Sequence, residues 1–300
     1  MDFIEIKDVV KQYDGHVALD HVSVSVPQGC IYGLLGPNGA GKTSLIRIIN
    51  MITRQDSGEV LLDGLPIAPD DVSQIGYLPE ERGLYKKMKV GEEIMYLARL
   101  KGVDKATAEQ RMVEWLDRFG LGQWRNKKVE TLSKGMQQKV QFIATVLHQP
   151  RLLIFDEPFS GFDPVNAEQL KEEILRLRQE GATILFSTHN MESVEEVCER
   201  ISLINHAHVV LEGNVAHIKQ QHKKNIYKIS LAQGERLPVN DRLYTIERAE
   251  GDATLIRLQQ GAEVRDTIAW LNANCSLGGF HELLPSMNEI FIETVKSLNS

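Results

Sequence analysis

Apolar and polar residues alternate along residues 3–10 and 22–26, the period-two pattern of half-buried strands. Residues 30–35 form a compact apolar run and predict a fully buried strand. Residues 58–62 and 75–78 predict two more. Residues 42–51 place Leu45, Ile46 and Ile49 at helical spacing, and from Val90 to about Leu147 the pattern is mainly helical, broken near 120–128. Residues 152–155 and 183–187 are short apolar runs rich in β-formers. Between them, residues 165–179 carry Leu170, Ile174 and Leu177 at helical period. Strand, helix and strand in that order predict a right-handed βαβ unit and a parallel sheet.

The pattern changes at residues 219–225 (KQQHKKN), a polar, basic stretch that reads as a linker or a helix end. Beyond it, 226–231, 243–248 and 253–258 are strand-like, with a turn at Glu250-Gly251-Asp252. Residues 264–274 predict an amphipathic helix with Val264, Ile268 and Leu271 on one face. The expected organisation is therefore a first domain over 1–222 and a small α+β domain over 223–300.

Composition removes several classes. The 300 residues are 42% hydrophobic and 25% charged, enough chain for a core without a disulfide or metal staple. No apolar stretch approaches the roughly 18–20 residues of a membrane span, and the start, MDFIEIKD, does not read as a signal peptide. Net charge is −7 with no long Lys/Arg run, which argues against a dedicated nucleic-acid binder. The three cysteines, Cys30, Cys198 and Cys275, are far apart and form no CxxC, which suits a reducing compartment. His206 and His208 alternate on one expected strand, but no acidic or cysteine cluster completes a metal site there.

Candidate chemistry begins at Gly36-Pro37-Asn38-Gly39-Ala40-Gly41-Lys42-Thr43, which fits GxxxxGK[ST] between a buried strand and a helix. Its glycines let backbone N–H groups cradle phosphate oxygens, and the helix start adds partial positive charge. Lys42 can reach the β- and γ-phosphates of a nucleotide, and the Thr43 hydroxyl can ligate Mg²⁺. Leu152-Leu153-Ile154-Phe155-Asp156-Glu157 is an apolar strand ending in two carboxylates. In a parallel sheet, ligands gather at the carboxyl ends of strands. Asp156 is placed to hold Mg²⁺, and Glu157 to orient or deprotonate an attacking water.

Further segments resemble the ATP-binding cassette (ABC) ATPases. Leu132-Ser133-Lys134-Gly135-Met136-Gln137-Gln138 is similar to that family's LSGGQ signature, Phe159-Ser160-Gly161-Phe162-Asp163-Pro164 to its D-loop, and Ser187-Thr188-His189 to its switch histidine. The resemblance covers roughly residues 1–220. It implies an α/β P-loop NTPase cassette with a mixed sheet core and a helical subdomain over about 80–147. It also implies that Tyr13 stacks on adenine, that Ser44 joins the phosphate loop in binding nucleotide, and that His189 contacts the γ-phosphate. Ser133 and Gly135 would meet ATP across a head-to-tail dimer, although both also suit a plain helix cap, and Asp163 of the D-loop would join the nucleotide-binding residues. Lys134 and Met136 depart from the signature. Glu80, in Gly76-Tyr77-Leu78-Pro79-Glu80-Glu81-Arg82-Gly83, stands where the family has a glutamine near Mg²⁺.

The resemblance implies an ATP- and Mg²⁺-dependent ATPase subunit on the cytoplasmic face of the membrane. Its partners would be a second ATP-binding subunit, identical or not, and a separate permease, with no nucleic acid. The segments GYLPEERGLY and 285–292 resemble the sodium-efflux and related export subgroup, which implies an exporter of sodium or another small solute. The competing reading is a soluble ABC ATPase acting on ribosomes or nucleic acid. Such members carry two cassettes or a long coiled coil, and this chain shows neither.

Overall fold

The chain opens with a long hairpin, β1 (Asp2–Tyr13) and β2 (His16–Pro27), turned at Asp14 and Gly15, both at positive φ. After β3 (Ile31–Leu35), α1 (Lys42–Ile49), β4 (Ser57–Leu62) and the short β5 (Leu65–Pro66), strands 2-1-4-5 form an antiparallel sheet. The computed structural model describes residues 2–81 and 83–298. Met1, Arg82, Asn299 and Ser300 lie outside the described residues, and with them the arginine of the 76–83 segment and the outer ends of both expected domains.

The second sheet adds β6 (Ile75–Leu78), β7 (Leu152–Asp156), β8 (Thr183–Thr188), β9 (Arg200–Asn205) and β10 (His208–Asn214), in the order 10-9-3-8-7-6. Strands 9, 3, 8, 7 and 6 are parallel, and β10 joins antiparallel at the edge. Strands β3, β7 and β8 are buried along their whole length, which is why they read as continuous apolar runs rather than alternations. Apolar side chains of β1, β2 and β4 meet α1 and one face of the parallel sheet in a single core around Phe3, Ile4, Leu34 and Ile46.

Three helices, α2 (Val90–Leu100), α3 (Lys105–Arg118) and α4 (Lys134–Val146), fill the expected helical region. Phe119 stacks on Trp115, and Phe142 meets both rings edge-on, while Arg118 and Arg176 lie over the Trp115 face. The helices α5 (Pro164–Gln179) and α6 (Met191–Val197) complete the unit. His206 is a correction to the sequence reading: with Ala207 it makes the β9–β10 turn, both at positive φ, so it does not share a strand face with His208.

Two compact units divide between Asn214 and Val215, earlier than the expected 222/223 boundary. The reason is α7 (Val215–Gln221), which buries Val215 and Ile218 and packs in the second unit against α9 (Met287–Leu298). The basic 219–225 stretch is thus a helix end and the link to the next strand, inside the second unit. That unit is a four-stranded antiparallel sheet of β11 (Ile226–Leu231), β12 (Tyr244–Glu250), β13 (Ala253–Leu258) and β14 (Leu277–Leu283), ordered 12-13-11-14. The helix α8 (Val264–Asn274) contributes Leu271 to a core with Tyr227, Ile229, Tyr244 and Ile256.

One buried base in the first unit carries a pH consequence. His148 Nε2 faces the Ile75 carbonyl at 3.3 Å, and the Lys101 ammonium donates to the Val72 and Ile75 carbonyls at 2.6 and 2.9 Å. Burial pushes the imidazole down to about 4, and the nearby Lys101 and Arg111 cations push the same way. The folded state refuses a proton that the unfolded chain accepts near pH 6.5. The contribution is therefore complete above about pH 6.5 and is lost as pH falls to about 4, by roughly 3 kcal/mol at most. The melting temperature of His148→Gln, which keeps a donor toward Ile75, should fall less than that of the wild type between pH 7 and 4.5 in this about 2.5-unit window. Equal falls in thermal melts would refute this account.

Candidate functional site

The glycines of the 36–43 loop are required by close approach. Gly36 sits at φ 148°, and a Cβ there would lie 2.2 Å from the Ile204 carbonyl oxygen. Gly41 caps α1 at φ 115°, and a Cβ there would lie 2.3 Å from the Ala18 carbonyl oxygen. The loop therefore wraps tightly between the β9 end and the β2 strand at the start of α1.

Lys42 is almost wholly buried. Its ammonium donates to the Gly36 carbonyl at 2.7 Å and the Pro37 carbonyl at 3.1 Å. Burial holds its pKa below the usual lysine range, while Glu157, Asp156 and Glu80 pull it back up. Asp156, at the end of β7, is 4% exposed; burial pushes its carboxyl up, and Glu157 and Glu80 add to the shift against Lys42. Glu157 takes a left-handed backbone, φ 50°, which turns the chain sharply off the strand end. Its carboxylate is saturated on the side of β8. Thr188 Oγ1 donates to Oε2 at 3.0 Å, the His189 amide to Oε1 at 2.9 Å, and His189 Nδ1 lies 2.5 Å from Oε1.

One cavity of about 370 Å³ gathers Tyr13, Asn38, Gly39, Gly41, Lys42 and Thr43 with Ser44, Glu80, Asp156 and Glu157. Residues more than a hundred positions apart thus meet as the sequence expected. Tyr13, at the end of β1, is 38% exposed, and Lys11 Nζ lies over its ring, 5.2 Å from the centroid. Gly36, Pro37 and Ala40 belong to the loop without lining the cavity. His189 reaches the site through Glu157. Ser133, Gly135 and Asp163 do not line the cavity. Ser133 Oγ accepts the Met136 amide and caps α4, and Asp163 caps α5 through the Asn166 amide. The two caps are neighbours, since Gln138 Nε2 donates to the Ser160 carbonyl. The cavity also includes His16 and Ala18, which sequence reasoning missed; His16 pairs with Tyr13 across the hairpin, a relation visible only once β1 and β2 are registered.

The family model described as ABC transporter matches residues 19–160, and that of the ATP-binding protein DrrA1-3-like C-terminal domain matches residues 213–295. The uncharacterized ABC transporter ATP-binding protein YhaQ of Bacillus subtilis is 41% identical over 97% of this chain and 98% of its own length. The chain belongs to the ABC transporter ATP-binding protein family. It is an ATPase whose hydrolysis is coupled to transport. The daunorubicin/doxorubicin resistance ATP-binding protein DrrA of Streptomyces peucetius is 32% identical over 81% of this chain and 75% of its own. A solved ATP-binding subunit of an ABC transporter is 31% identical, with a TM-score of 0.69 over 73% of this chain and 92% of that one. A dimeric bacterial ABC transporter cassette, 24% identical, shares the fold at a TM-score of 0.65 over 71% and 98%. Among the described residues of this family member, no helix is long and apolar enough to cross a membrane.

The loop geometry sets a direct expectation. Gly41→Ala forces a side chain against the Ala18 carbonyl at a strained φ, at a cost of about 1–3 kcal/mol. Its melting temperature should drop and should no longer rise when ATP is added. A variant that ATP still stabilises as it does the wild type would show that the loop tolerates the change.

Proposed function

We propose that this ATPase subunit drives export by a separate membrane permease, as one of two ATP-binding subunits that close around two ATP molecules on the cytoplasmic face. The carrying observation is the single cavity that joins the phosphate loop to the carboxylates at the end of β7. In this reading the loop amides and Lys42 hold the β- and γ-phosphates, the ammonium exchanging its carbonyl partners for phosphate oxygens. Tyr13 stacks on the base, and Ser44 and Asn38 border the phosphates. Ser133, Gly135 and Asp163 stand outside their own cavity, which suits a role against the nucleotide of the opposite subunit.

The donor set also fits Mg²⁺. Thr43 offers a hydroxyl and Asp156 and Glu80 offer carboxylates around one cavity, all hard oxygen ligands. Three carboxylates there face one lysine, an excess of negative charge that a divalent cation offsets. Among the described residues no three acidic, histidine or cysteine side chains form a metal cage by themselves, so water and phosphate oxygens would complete the shell of an ion held here. Bound there, Mg²⁺ supplies charge neutralisation to the phosphate oxygens.

Glu157 is the proposed base, orienting and deprotonating the attacking water. Thr188 and the His189 amide fix its carboxylate, and His189 relays the presence of the γ-phosphate to it. Catalysis is then mainly positioning and charge stabilisation. The match of residues 213–295 to the DrrA1-3-like C-terminal domain and the likeness to a drug-resistance subunit support export. The cargo is a small solute, sodium among the candidates, chosen by the permease. The second unit would support dimerisation or regulation.

Glu157→Gln should bind ATP with unchanged affinity, form an ATP-dependent dimer on size exclusion and lose turnover by at least about a hundredfold. Undiminished phosphate release would remove Glu157 from the role of base. Glu80→Gln restores the amide that the family resemblance implies at this position. It should retain ATPase activity, and complete loss at saturating Mg²⁺ would show that the carboxylate itself is needed.

A further inference from the structure

Two consecutive hydroxyl residues, Ser187 and Thr188, close β8 beside the carboxylates Asp156 and Glu157 at the end of β7. Thr188 has its task, donating to Glu157 Oε2 at 3.0 Å. Ser187 has none so far. It stands directly opposite Asp156 in the parallel register of β7 and β8. One step earlier on the same face, Ile154 stands near Leu185, its own register partner. Both belong to the core between the parallel sheet and α1. An apolar row therefore ends in a serine, next to the carboxylate that enters the nucleotide cavity.

Ser187 is fully buried. Among the described residues its Oγ meets no group in good hydrogen-bond geometry, although it lies close enough to Asp156 to favour the charged carboxylate. A buried hydroxyl in that condition weakens the fold, because it has given up water without a full replacement. An alanine would continue the apolar row without that penalty. The hydroxyl thus costs stability at the one strand position that faces a buried acid of the site.

We propose that Ser187 is a positioning residue for the divalent cation, its hydroxyl donating to the Asp156 carboxylate when that carboxylate serves Mg²⁺. The inference rests on the reading of Asp156 as a Mg²⁺-holding residue. Asp156 is almost wholly buried, so protein groups rather than bulk water must orient it. A carboxylate that turns one oxygen to a cation keeps acceptor capacity on the other. A hydroxyl donor there decides which oxygen is offered and holds the acid ionised. Contacts of this outer kind typically change metal affinity by about ten- to a hundredfold. The end of β8 then orients both carboxylates of β7, one hydroxyl to each.

The test uses the full chain with ADP and Mn²⁺, a Mg²⁺ substitute whose binding electron paramagnetic resonance reads directly, without turnover. In the ADP complex, Ser187→Ala should bind Mn²⁺ at least about tenfold more weakly than the wild type. Its ADP affinity in EDTA should stay unchanged. Its melting temperature without nucleotide should equal or exceed that of the wild type, because the substitution removes a poorly satisfied buried hydroxyl. Ser187→Thr, which keeps the hydroxyl, should bind Mn²⁺ as the wild type does. Unchanged Mn²⁺ affinity in Ser187→Ala overturns the proposal, and a lower melting temperature alongside it assigns Ser187 to packing alone. Equal loss of ADP affinity in EDTA also overturns it, since the defect would then not concern the metal. A wild type that binds ADP but takes up no Mn²⁺ in that complex overturns the Mg²⁺ reading of the site itself.

Discussion

The burial of charge at the carboxyl edge of the parallel sheet governs the rest of the site. Lys42 and Asp156 are both nearly removed from water, a costly state for ionised groups unless partners are fixed around them. The loop answers by turning the Gly36 and Pro37 carbonyls onto the ammonium, which demands backbone geometry that only glycine allows at Gly36 and Gly41. The same demand explains why the loop lies against Ile204 and Ala18: those carbonyls leave no room for a side chain. Folding thus sets up a concentrated field of one cation and three carboxylates before nucleotide arrives. The opposing shifts at Lys42 and Asp156 are two expressions of one desolvated cluster.

What the sequence reveals of this arrangement follows from how local each feature is. Strands β3, β7 and β8 are buried on both faces, so composition alone marks them. The phosphate loop and the acidic strand end are contiguous and fit spacing rules. The β9–β10 hairpin is obscure because its turn, His206-Ala207, contains no glycine although both residues take positive φ, so turn chemistry gives no warning. Strand β14 escapes notice for another reason: it carries two glycines and a mixed burial pattern, with no alternation to detect. The domain boundary slips to 222 because the polarity of 219–225 is conspicuous, whereas the two buried residues of α7 are not.

Long-range relations inside the site were equally hidden. Thr188 was notable in sequence only as the neighbour of His189, yet it reaches Glu157 at 3.0 Å from the adjacent strand. His16 joins the cavity through its pairing with Tyr13. Both relations depend on register, which short-range periodicity does not supply. By contrast, the cap role of Ser133 was legible from its place before a helix, and the structure adds that the cap stands beside the 159–164 loop through Gln138 and Ser160.

The hold on Glu157 imposes a final constraint on the chemistry. Its backbone is strained at φ 50° and its carboxylate accepts from Thr188 and the His189 amide. Strain at a strand end persists only where surrounding contacts over-determine it; here they come from β8 and its exit and from the Ser160 amide, which donates to the Glu157 carbonyl at 3.0 Å. A carboxylate so fixed loses little orientational freedom when water and phosphate arrive, which is how preorganised groups lower a barrier. The His189 ring meets the same Glu157 oxygen that its own amide holds. Any movement of that ring toward a phosphate therefore alters a contact on Glu157 directly, without a longer chain of contacts.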